Sequence, residues 1–290
     1  MDVSLMFFGI CLLNPVLQNV GMGFQKWSID KTPKAVGKNG KAKWVGVWIL
    51  GLLFQVVVVV LTGVAVTLGN ASTLGAFAGS GLIALSIFSY FVLKEKIVSK
   101  EIMGMVLIIL GTGVVAAFSR DAQSAEVHLD MTRNGIFFGP YLGAVAVGLV
   151  LLKKNLHTLG GAILGLIGGS MNGIGVPTMK IVLNKFQEMN IEAGNFAAMM
   201  TAVGIRLLDI WTWIMIVGGV GGMIVIQFGY KYGKAVQVVP GHAAMVVVMP
   251  AIAGAVLLGE TVPPMAWVGI AIVTVGVLIT TTADPKKHVQ

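Results

Sequence analysis

Long apolar runs, separated by short polar segments, follow one another along the whole chain. The runs lie at about residues 3–26, 44–67, 71–92, 98–119, 135–152, 158–180, 208–230, 236–258 and 264–282. Each is close to the roughly 17–25 residues that a helix needs to cross the hydrocarbon core of a bilayer. In lipid the backbone must satisfy its own hydrogen bonds, and a helix does so within one segment. The pattern therefore predicts an all-α fold, a polytopic transmembrane bundle of about nine helices.

Two glutamate-bearing turns, each followed by a glycine-spaced run, share a sequence pattern. The first is VLKEKIVSKEIMGMVLIILGT at 92–112, and the second is LLGETVPPMAWVGIAIVTVGV at 257–277. A shift of 165 residues matches four pairs, namely Leu93 with Leu258, Glu95 with Glu260, Gly104 with Gly269 and Gly111 with Gly276. The match predicts two repeats, one made of runs one to four and the other of runs six to nine.

The two predicted units insert into the membrane with opposite orientations. Each unit has an even number of spans, four, and a single connecting span separates them. The predicted division is 1–120 for the first four-helix repeat, 121–157 for the connecting helix and its loops, and 158–290 for the second repeat. The first runs of the two repeats also end alike, with GMGFQK at 21–26 and GVPTMK at 175–180. Many secondary transporters build two gates around one midplane site from such inverted repeats.

The composition excludes a soluble globular protein. The chain is 56% hydrophobic and only 11% charged, with a mean hydropathy of +0.90, whereas soluble domains carry about 25% charged residues. The N-terminal MDVSLMFFGICLLNPVLQ has no basic region and no small-residue cleavage site, which predicts a retained helix rather than a signal peptide. Cys11 is the single cysteine, which excludes an intrachain disulfide and a cysteine-rich metal site.

Lysine and arginine are distributed unevenly between alternate loops. With the N-terminus outside, the inner side holds Lys26, Lys31, Lys34, Lys38, Lys41, Lys43, Lys94, Lys96, Lys100, Lys153, Lys154, Lys231, Lys234, Lys286 and Lys287. The outer side holds Arg120, Arg133, Lys180, Lys185 and Arg206. This bias predicts an integral cell-membrane protein whose N-terminus is outside and whose C-terminus is cytoplasmic. The net charge of +8 is then a topology signal rather than a sign of nucleic-acid binding, and the basic 26–43 loop can contact anionic lipid headgroups.

Polar side chains at the depth of the bilayer are the candidate substrate contacts. Placing them in lipid is costly, so their presence there indicates a function. The six candidates are Asn14, Gln18, Asn19, Gln55, Asn172 and Gln227. Asn172 matches Gln18 when the lysines that end spans one and six are aligned. The alternative is that each amide bonds to a neighbouring helix, which is worth about 0.6 kcal/mol on average in a membrane.

Prolines and glycines inside the runs have both a mechanical and a packing interpretation. Four prolines are candidate hinges, since each removes a helical hydrogen bond, and the alternative for all of them is simple packing. They are Pro15, Pro177, Pro240 and Pro250. Glycines recur every four residues in span six, which predicts close helix–helix contact rather than a phosphate-binding loop. They are Gly161, Gly165, Gly169 and Gly173.

Glu95 and Glu260 lie at turns between antiparallel helices, where water can reach them. We expect a structural role, in which each carboxylate accepts backbone N–H bonds at the start of the next helix. Pro263 and Pro264 fit the first helical turn after Glu260, where a missing N–H costs little. Direct substrate binding by the two acids is the alternative.

The glutamate-bearing turn followed by a glycine-spaced helix resembles the end of each half in the drug/metabolite transporter superfamily (EamA-like). The nine-span layout, the lysine-terminated spans one and six, and QFGYKYGKAVQVVP at 227–240 resemble the magnesium-transporter branch typified by the NIPA proteins. The superfamily resemblance implies an inverted-repeat transporter, and the branch implies magnesium as its cargo. At Gln55 the sequence departs from that branch, which tends to carry an acidic residue in its second span.

Together these features predict a secondary transporter of a small solute that works by alternating access between two inverted repeats. A magnesium or other divalent-cation transporter of the NIPA type is the alternative. Amides without an acid at the midplane favour a neutral or zwitterionic polar solute, because magnesium usually binds through one or two carboxylates, and no residue is assigned to a metal.

No HExxH motif, Asp-x-Asp arrangement or nucleotide-binding motif occurs in the sequence, so we expect neither an enzyme nor a cofactor. The expected partners are the solute or a divalent cation, membrane lipids and a second copy of the chain in a homodimer, but no nucleic acid.

Overall fold

Helices make up the described part of the protein. The computed structural model describes residues 3–34, 37–68, 78–118, 131–189, 196–257, 259 and 262–281, and no strand occurs among them. By length and composition, five helical stretches of these residues are able to cross a membrane. They are Met6–Lys34, Asn39–Thr62, Thr132–Phe186, Ile210–Tyr232 and Ala235–Leu257. The prediction of an all-α polytopic bundle is confirmed, while Glu260 lies outside the described residues.

The helices follow the predicted runs in order. Their bounds are α1 Val3–Lys31, α2 Gly37–Leu68, α3 Ala78–Phe88, α4 Ser99–Phe118, α5 Met131–Gln187, α6 Phe196–Arg206, α7 Ile210–Ile216, α8 Gly222–Tyr232, α9 Ala235–Leu257 and α10 Pro264–Thr281. One π-helical turn extends α3 over Ser89–Leu93, and another joins α7 to α8 over Val217–Gly221. The seventh predicted span is therefore α7 and α8 together, and a short 3-10 turn, Thr32–Lys34, follows α1.

The fifth and sixth predicted spans form one 57-residue helix, α5. At about 1.5 Å per residue it is far longer than the roughly 30 Å hydrocarbon core of a bilayer, so it cannot be a single crossing. Asn155 interrupts it with a non-helical backbone, φ −129° and ψ 31°. The two halves of α5 on either side of Asn155 thus account for the two predicted spans. We call α1–α4 the first helical group and residues 156–281 the second helical group.

Two pairs of glycines join α4 of the first group to α10 of the second. A Cβ atom on Gly104 would stand 2.6 Å from the carbonyl oxygen of Gly276, and one on Gly276 would stand 2.7 Å from that of Gly104. Gly111 and Gly269 show the same reciprocal relation at 2.8 Å in both directions. Residues without a side chain allow two helix backbones to approach this closely. We call this backbone-to-backbone contact the glycine seam.

The turns before α4 and α10 share an unusual backbone conformation. Lys94 has φ 59°, the only positive φ outside glycine among the described residues, and Gly259 has φ 67°. This left-handed region is free for glycine but costly for a residue with a Cβ atom. Lys94 and Gly259 are separated by the same 165 residues as the matched pairs in the sequence.

Glycines also bring helices together within each group. Gly21 and Gly51 make the α1–α2 contact, where a Cβ on either would lie within 2.9 Å of the carbonyl oxygen of the other. Gly168 and Gly222 do the same between α5 and α8, within 2.8 Å. In both groups, the first helix thus packs through a glycine pair against the next predicted membrane span, α2 in the first group and α8 in the second.

The predicted spacing of glycines in span six corresponds to a real contact. Gly165, Gly169 and Gly173 face backbone carbonyl oxygens of α9 at 2.3, 2.5 and 2.7 Å from an ideal Cβ atom. The four prolines considered as hinges lie inside helices α1, α5 and α9, and the one non-helical residue recorded in α5 is Asn155. A hinge role for these prolines stays a prediction.

Candidate functional site

Two of the predicted site residues, Asn14 and Gln55, bond across the α1–α2 contact. The amide of Asn14 donates to the carbonyl oxygen of Val58 at 3.1 Å and to the hydroxyl of Thr62 at 2.9 Å. The amide of Gln55 donates to the backbone carbonyl of Gln18 at 3.0 Å. Both residues therefore tie together neighbouring helices of the first group.

Asn172 makes its contacts inside the second group. Its amide is satisfied when the nitrogen donates to the carbonyl oxygens of Gly218 at 2.8 Å and Gly219 at 3.0 Å, while the oxygen accepts from Nε2 of His242 at 3.0 Å. Gly218 and Gly219 belong to the π-helical turn, where the usual i to i−4 bonding is interrupted and carbonyls become available. Asn172 thus joins α5, the π-helical turn and α9. The structure does not bring it together with Asn14.

A chain of three polar side chains crosses between the two groups. The amide of Gln227 in α8 donates to Oε1 of Gln25 in α1 at 2.7 Å, and the indole N–H of Trp48 in α2 donates to Oε1 of Gln227 at 3.1 Å. Gln25 is 1% exposed. Gln227 was predicted from the sequence as a site residue, whereas Gln25 and Trp48 were not. This chain is a polar link between the two groups.

Several buried polar atoms of α1 and α8 have no hydrogen-bond partner within the protein. They are Nε2 of Gln25 and Oδ1 of Asn19 in α1, and the hydroxyl of Tyr230 in α8. Buried polar groups normally have partners, and one that lacks a protein partner is a candidate for contact with water or a ligand. Gln18 lies seven residues before Gln25, so both are on one stripe of α1. The stripe from Gln18 to Gln25, together with Gln227 and Tyr230, forms what we call the glutamine path.

Charged side chains close the bundle where α1 ends and α9 begins, which we call the lysine-rich end. Lys26 is 6% exposed. Its ammonium group donates to the carbonyl oxygen of Tyr230 at 2.7 Å and to Asp30 at 2.8 Å. The first of these bonds runs from the first group to the second. Such partners offset the cost of burying an ammonium group. Through the bond to Tyr230, Lys26 joins the end of α1 to the end of α8.

Glu95 makes a second contact between the groups at this end. Its carboxylate accepts a hydrogen bond from the hydroxyl of Ser89 and another, at 3.1 Å, from the backbone N–H of Ala235 at the start of α9. The sequence predicted that Glu95 accepts a backbone N–H at the start of the next helix, α4. In the structure it accepts one at the start of α9 instead. Burial raises the pKa of Glu95, although these two hydrogen bonds and the charge of Lys26 act in the opposite direction.

Lys234 provides a third contact between the groups. Its ammonium group donates to the carbonyl oxygen of Lys96 at 2.9 Å and lies 3.9 Å from the carboxylate of Glu101. Glu101 is 1% exposed and accepts the backbone N–H of Val98 at 2.9 Å, as the third residue of a helix does in a capping box. Lys234 therefore binds the turn that precedes α4.

The opposite end of the bundle has an ion pair of a different kind. The ammonium group of Lys185 donates to Asp209, and the guanidinium of Arg206 lies 3.6 Å from the same carboxylate. Burial alone would raise the pKa of Asp209, but the bonds from Lys185 and from the N–H of Trp211, with the two positive charges, lower it. All of these residues belong to the second group. The pair therefore caps α7 rather than joining the groups.

Two cavities lie at the lysine-rich end and share Lys231. The larger, about 490 Å³, is lined by Trp27, Ile29, Asp30, Lys31, Pro33, Lys34, Leu93 and Lys231. The smaller, about 310 Å³, is lined by Lys26, Glu95, His157, Thr158, Lys231, Tyr232, Gly233, Lys234 and Gln237. Lysines outnumber acids in both linings. Within the described residues, no three His, Cys, Asp or Glu side chains come together as a metal site.

Comparison with curated proteins finds a distant relative. The chain is similar to the probable magnesium transporter NIPA9 of Arabidopsis thaliana, at 27% identity over 232 residues. These residues are 74% of this chain and 62% of that protein, so the chain spans less than two thirds of the relative's length. No protein-family model and no solved structure matches the chain.

Proposed function

We propose that the chain is a secondary transporter in which two inverted repeats, 1–120 and 158–290, rock about a site between them. The glycine seam is the observation that carries this proposal. Gly104 contacts Gly276, and adding 165 to the first number and subtracting it from the second gives Gly269 and Gly111, which also contact each other. A contact that maps onto itself under exchange of the repeats is what a two-fold axis produces. Inverted repeats related by such an axis are a common basis of transporters.

The turns before the seam helices support the same relation. Lys94 and Gly259 adopt similar left-handed conformations at matched positions, although only the second is a glycine. The strain at Lys94 is the cost of keeping one turn geometry in both repeats. The mutual glycine contacts of α1 with α2 and of α5 with α8 repeat the pattern in the first two helices of each unit.

The glutamine path is the proposed solute route. Its Gln25–Gln227 bond lies between α1 of one repeat and α8 of the other, while the stripe near Gln18 packs against α2, and the path carries buried polar atoms that the protein does not satisfy. Of the six residues predicted as substrate contacts, Gln18, Asn19 and Gln227 belong to or adjoin this path. Asn14, Gln55 and Asn172 bond to neighbouring helices, and a role for them in substrate binding stays a prediction.

The lysine-rich end is the proposed closed gate of this conformation. Contacts from Lys26, Glu95 and Lys234 join the repeats there. For the solute to leave by this end, all three contacts must break. The positive-inside bias makes this end cytoplasmic, with the N-terminus outside. Cysteines introduced at Ala125 and Lys287, in a chain lacking Cys11, are then expected to be labelled from opposite sides of the membrane, and labelling from one side would contradict the inverted topology.

A neutral or zwitterionic polar solute is the first candidate for the cargo. The glutamine path offers amide and hydroxyl groups, which donate and accept hydrogen bonds but do not neutralise a divalent charge. The carboxylates of Asp30, Glu95 and Glu101 lie at the lysine-rich end beside lysines. A metal ion would meet a positive surface there.

Magnesium is the second candidate, and the similarity to the probable magnesium transporter NIPA9 favours it. Magnesium dehydrates reluctantly and usually keeps several of its waters. A hydrated ion can be bound by the amide oxygens of Gln25 and Gln227 through those waters. The described contacts of these two side chains therefore fit either cargo, and flux measurements decide between them.

The test is uptake into liposomes that contain the purified full-length protein, driven by a solute or ion gradient without ATP. The panel contains amino acids and divalent ions, and the variants are Gln227→Leu, Asn172→Ala and the control Gln55→Leu. Gln227→Leu removes one contact between the repeats, whereas Gln55→Leu removes a contact within one repeat. We expect Gln227→Leu to lower uptake about tenfold or more, since a hydrogen bond to a ligand is worth up to a few kcal/mol.

Amino-acid uptake without ion flux would support the first cargo and exclude magnesium. Magnesium flux that is lost in Gln227→Leu and kept in Gln55→Leu would establish the second. Equal losses in both variants would contradict the proposed path, and a strict need for ATP would contradict secondary transport.

A further inference from the structure

The larger cavity at the lysine-rich end holds lysines that lack an acidic partner. Lys31, Lys34 and Lys231 line it, and Asp30 is the one acid in its lining. Asp30 is already bonded to Lys26 at 2.8 Å. Among the described residues, no carboxylate lies within ion-pair distance of the other three lysines. The cavity therefore has an unbalanced positive charge that can attract an anion.

The rest of the lining is apolar and aromatic. Trp27, Ile29, Pro33 and Leu93 form it, and the ring of Trp27 packs edge-on against Trp44 at 5.1 Å between centroids. The ammonium group of Lys231 lies 5.0 Å from the ring of Phe228, whose side chain is exposed on the outside of the bundle. Tryptophan and lysine at the end of an apolar span are typical of the membrane–water interface.

We propose that this cavity binds the headgroup of an anionic phospholipid. The three lysines would contact the phosphate and the acidic headgroup, and the apolar wall of Trp27, Ile29 and Leu93 would cover the glycerol and the first acyl carbons. A free phosphate ion uses the lysines but leaves that wall exposed to water. Basic pockets between transmembrane helices on the cytoplasmic side are known binding places for such headgroups.

The position of the cavity links the lipid to the closed end. Asp30 lines the cavity and also accepts the hydrogen bond of Lys26, which holds α1 against α8. A bound anion would thus lie next to one of the three contacts that close the lysine-rich end. The lipid site itself is inferred from charge and lining alone and does not rest on the proposed transport.

The experiment is native mass spectrometry of the full-length protein with phosphatidylserine or phosphatidylcholine added in increasing amounts. The test variant is Lys31→Gln with Lys34→Gln and Lys231→Gln. The matched control is Lys100→Gln with Lys153→Gln and Lys154→Gln, which removes the same charge from exposed lysines outside the cavity. A lysine near an anionic lipid is worth roughly fivefold in affinity, so the test variant is expected to bind phosphatidylserine on the order of a hundredfold more weakly.

Three results would overturn the proposal. The first is equal binding of the two lipids by the unchanged protein, and the second is an equal loss in the test and control variants. The third is displacement of phosphatidylserine by a modest excess of inorganic phosphate, which would indicate a free-anion site. If the triple variant does not fold, Lys31→Gln with Lys34→Gln, which leaves α8 unchanged, is expected to show a loss of roughly twenty-five-fold. An unchanged affinity in that double variant would also refute the lipid site.

Discussion

The two ends of the bundle use charged residues in different ways. At the lysine-rich end, Lys26 bonds from α1 to the carbonyl of Tyr230 in α8, so the contact crosses between the helical groups. At the opposite end, Lys185 bonds to Asp209, and both belong to the second group. The Lys26 bond is one of the contacts that join the two groups, whereas the Lys185 bond lies within one of them.

This difference shows that pairing with an aspartate is a poor guide to the role of a lysine. The side chain of Lys26 is 8% exposed and that of Lys185 is 27% exposed, and both are paired with an aspartate. What distinguishes them is that Lys26 also donates to a carbonyl oxygen of the other group, whereas Lys185 bonds to Asp209 of its own group. We therefore expect substitutions at the lysine-rich end to change the balance between open and closed states, and those at the opposite end to change stability alone.

The largest expected effect concerns the glycine seam, which joins α4 of the first group to α10 of the second. Gly104→Ala places a Cβ atom 2.6 Å from the carbonyl of Gly276, so the helices must separate, at a cost of about 1–3 kcal/mol or more. The control is Gly113→Ala in the same helix, where the new Cβ atom meets nothing within 4 Å. Thermal unfolding in detergent is expected to show a clear loss for Gly104→Ala and a change of at most about 0.5 kcal/mol for the control.

Equal stability of the two variants would mean that the seam is not a close backbone contact. In that case the reciprocal contact of Gly111 with Gly269 would lose its value as a sign of two-fold symmetry. The same measurement on Gly269→Ala is expected to match the result for Gly104→Ala, because the two positions are equivalent under the proposed repeat.

The sequence predicts which glycines of the glycine seam recur, but it does not predict which of them contact each other. Matching Gly104 to Gly269 and Gly111 to Gly276 showed that the glycines recur. The structure pairs them crosswise, Gly104 with Gly276, which follows from antiparallel packing of two equivalent helices. Periodicity reports which residues are equivalent, but it does not report which of them touch, because the partner helix lies more than 150 residues away.

The second expected effect separates the two ends directly. Lys26→Met leaves the carbonyl of Tyr230 without its donor and is expected to favour the open state by about 1–3 kcal/mol. The readout is labelling of Met22→Cys, a position 5% exposed in α1, by a water-soluble thiol reagent in a chain whose Cys11 is replaced by alanine. We expect the labelling rate to rise about tenfold in Lys26→Met and to stay unchanged in Lys185→Met.

A rise in both variants would show that general loosening, rather than opening of one end, exposes Met22. No change in either would mean that the bond to Tyr230 does not hold the groups together. The comparison of the two ends would then rest on Glu95 and Lys234 alone.

The third effect is a pH dependence at Glu95. Because burial raises its pKa, the folded protein binds a proton here more readily than the unfolded chain does. This stability contribution is fully present below the usual glutamate pKa of about 4.3 and is lost as the pH rises through the raised value. Glu95→Gln mimics the protonated form, so the stability of the variant relative to the unchanged protein is expected to increase with pH across that window.

The comparison with the unchanged protein is designed to isolate the contribution of Glu95 to the pH dependence. Asp30, His157 and Lys26 face Glu95 or line the same cavity, and they are present in both proteins, so their contributions cancel in the difference. Repeating the pair of measurements in a His157→Gln background is expected to leave the difference unchanged. A difference that is flat with pH would mean that Glu95 is no more buried than an ordinary surface carboxylate.

The sequence located part of the polar site and missed the rest for identifiable reasons. Gln227 is predicted as a site residue because an amide inside an apolar run is conspicuous. Gln25 directly precedes Lys26, a position typical of the polar end of a span. The structure buries both Gln25 and Lys26, since α8 and α9 cover the end of α1. Whether the end of a span is covered depends on tertiary packing, which hydropathy does not record.

The smallest expected effect is at Asn14, whose hydrogen bonds lie within the first group rather than between the groups. Asn14 bonds to Val58 and Thr62 of α2, both within the first group. Asn14→Leu is expected to lower stability by about 0.6 kcal/mol, the average for a hydrogen bond between membrane helices, and to leave uptake within about twofold of the unchanged protein. Thr62→Val, which removes one of the two acceptors and keeps the other, is the matched control. The measurements are thermal unfolding and liposome uptake on the same preparations. If uptake falls tenfold while stability barely changes, Asn14 contacts the solute, and the middle of α1 takes part in binding as well as in packing.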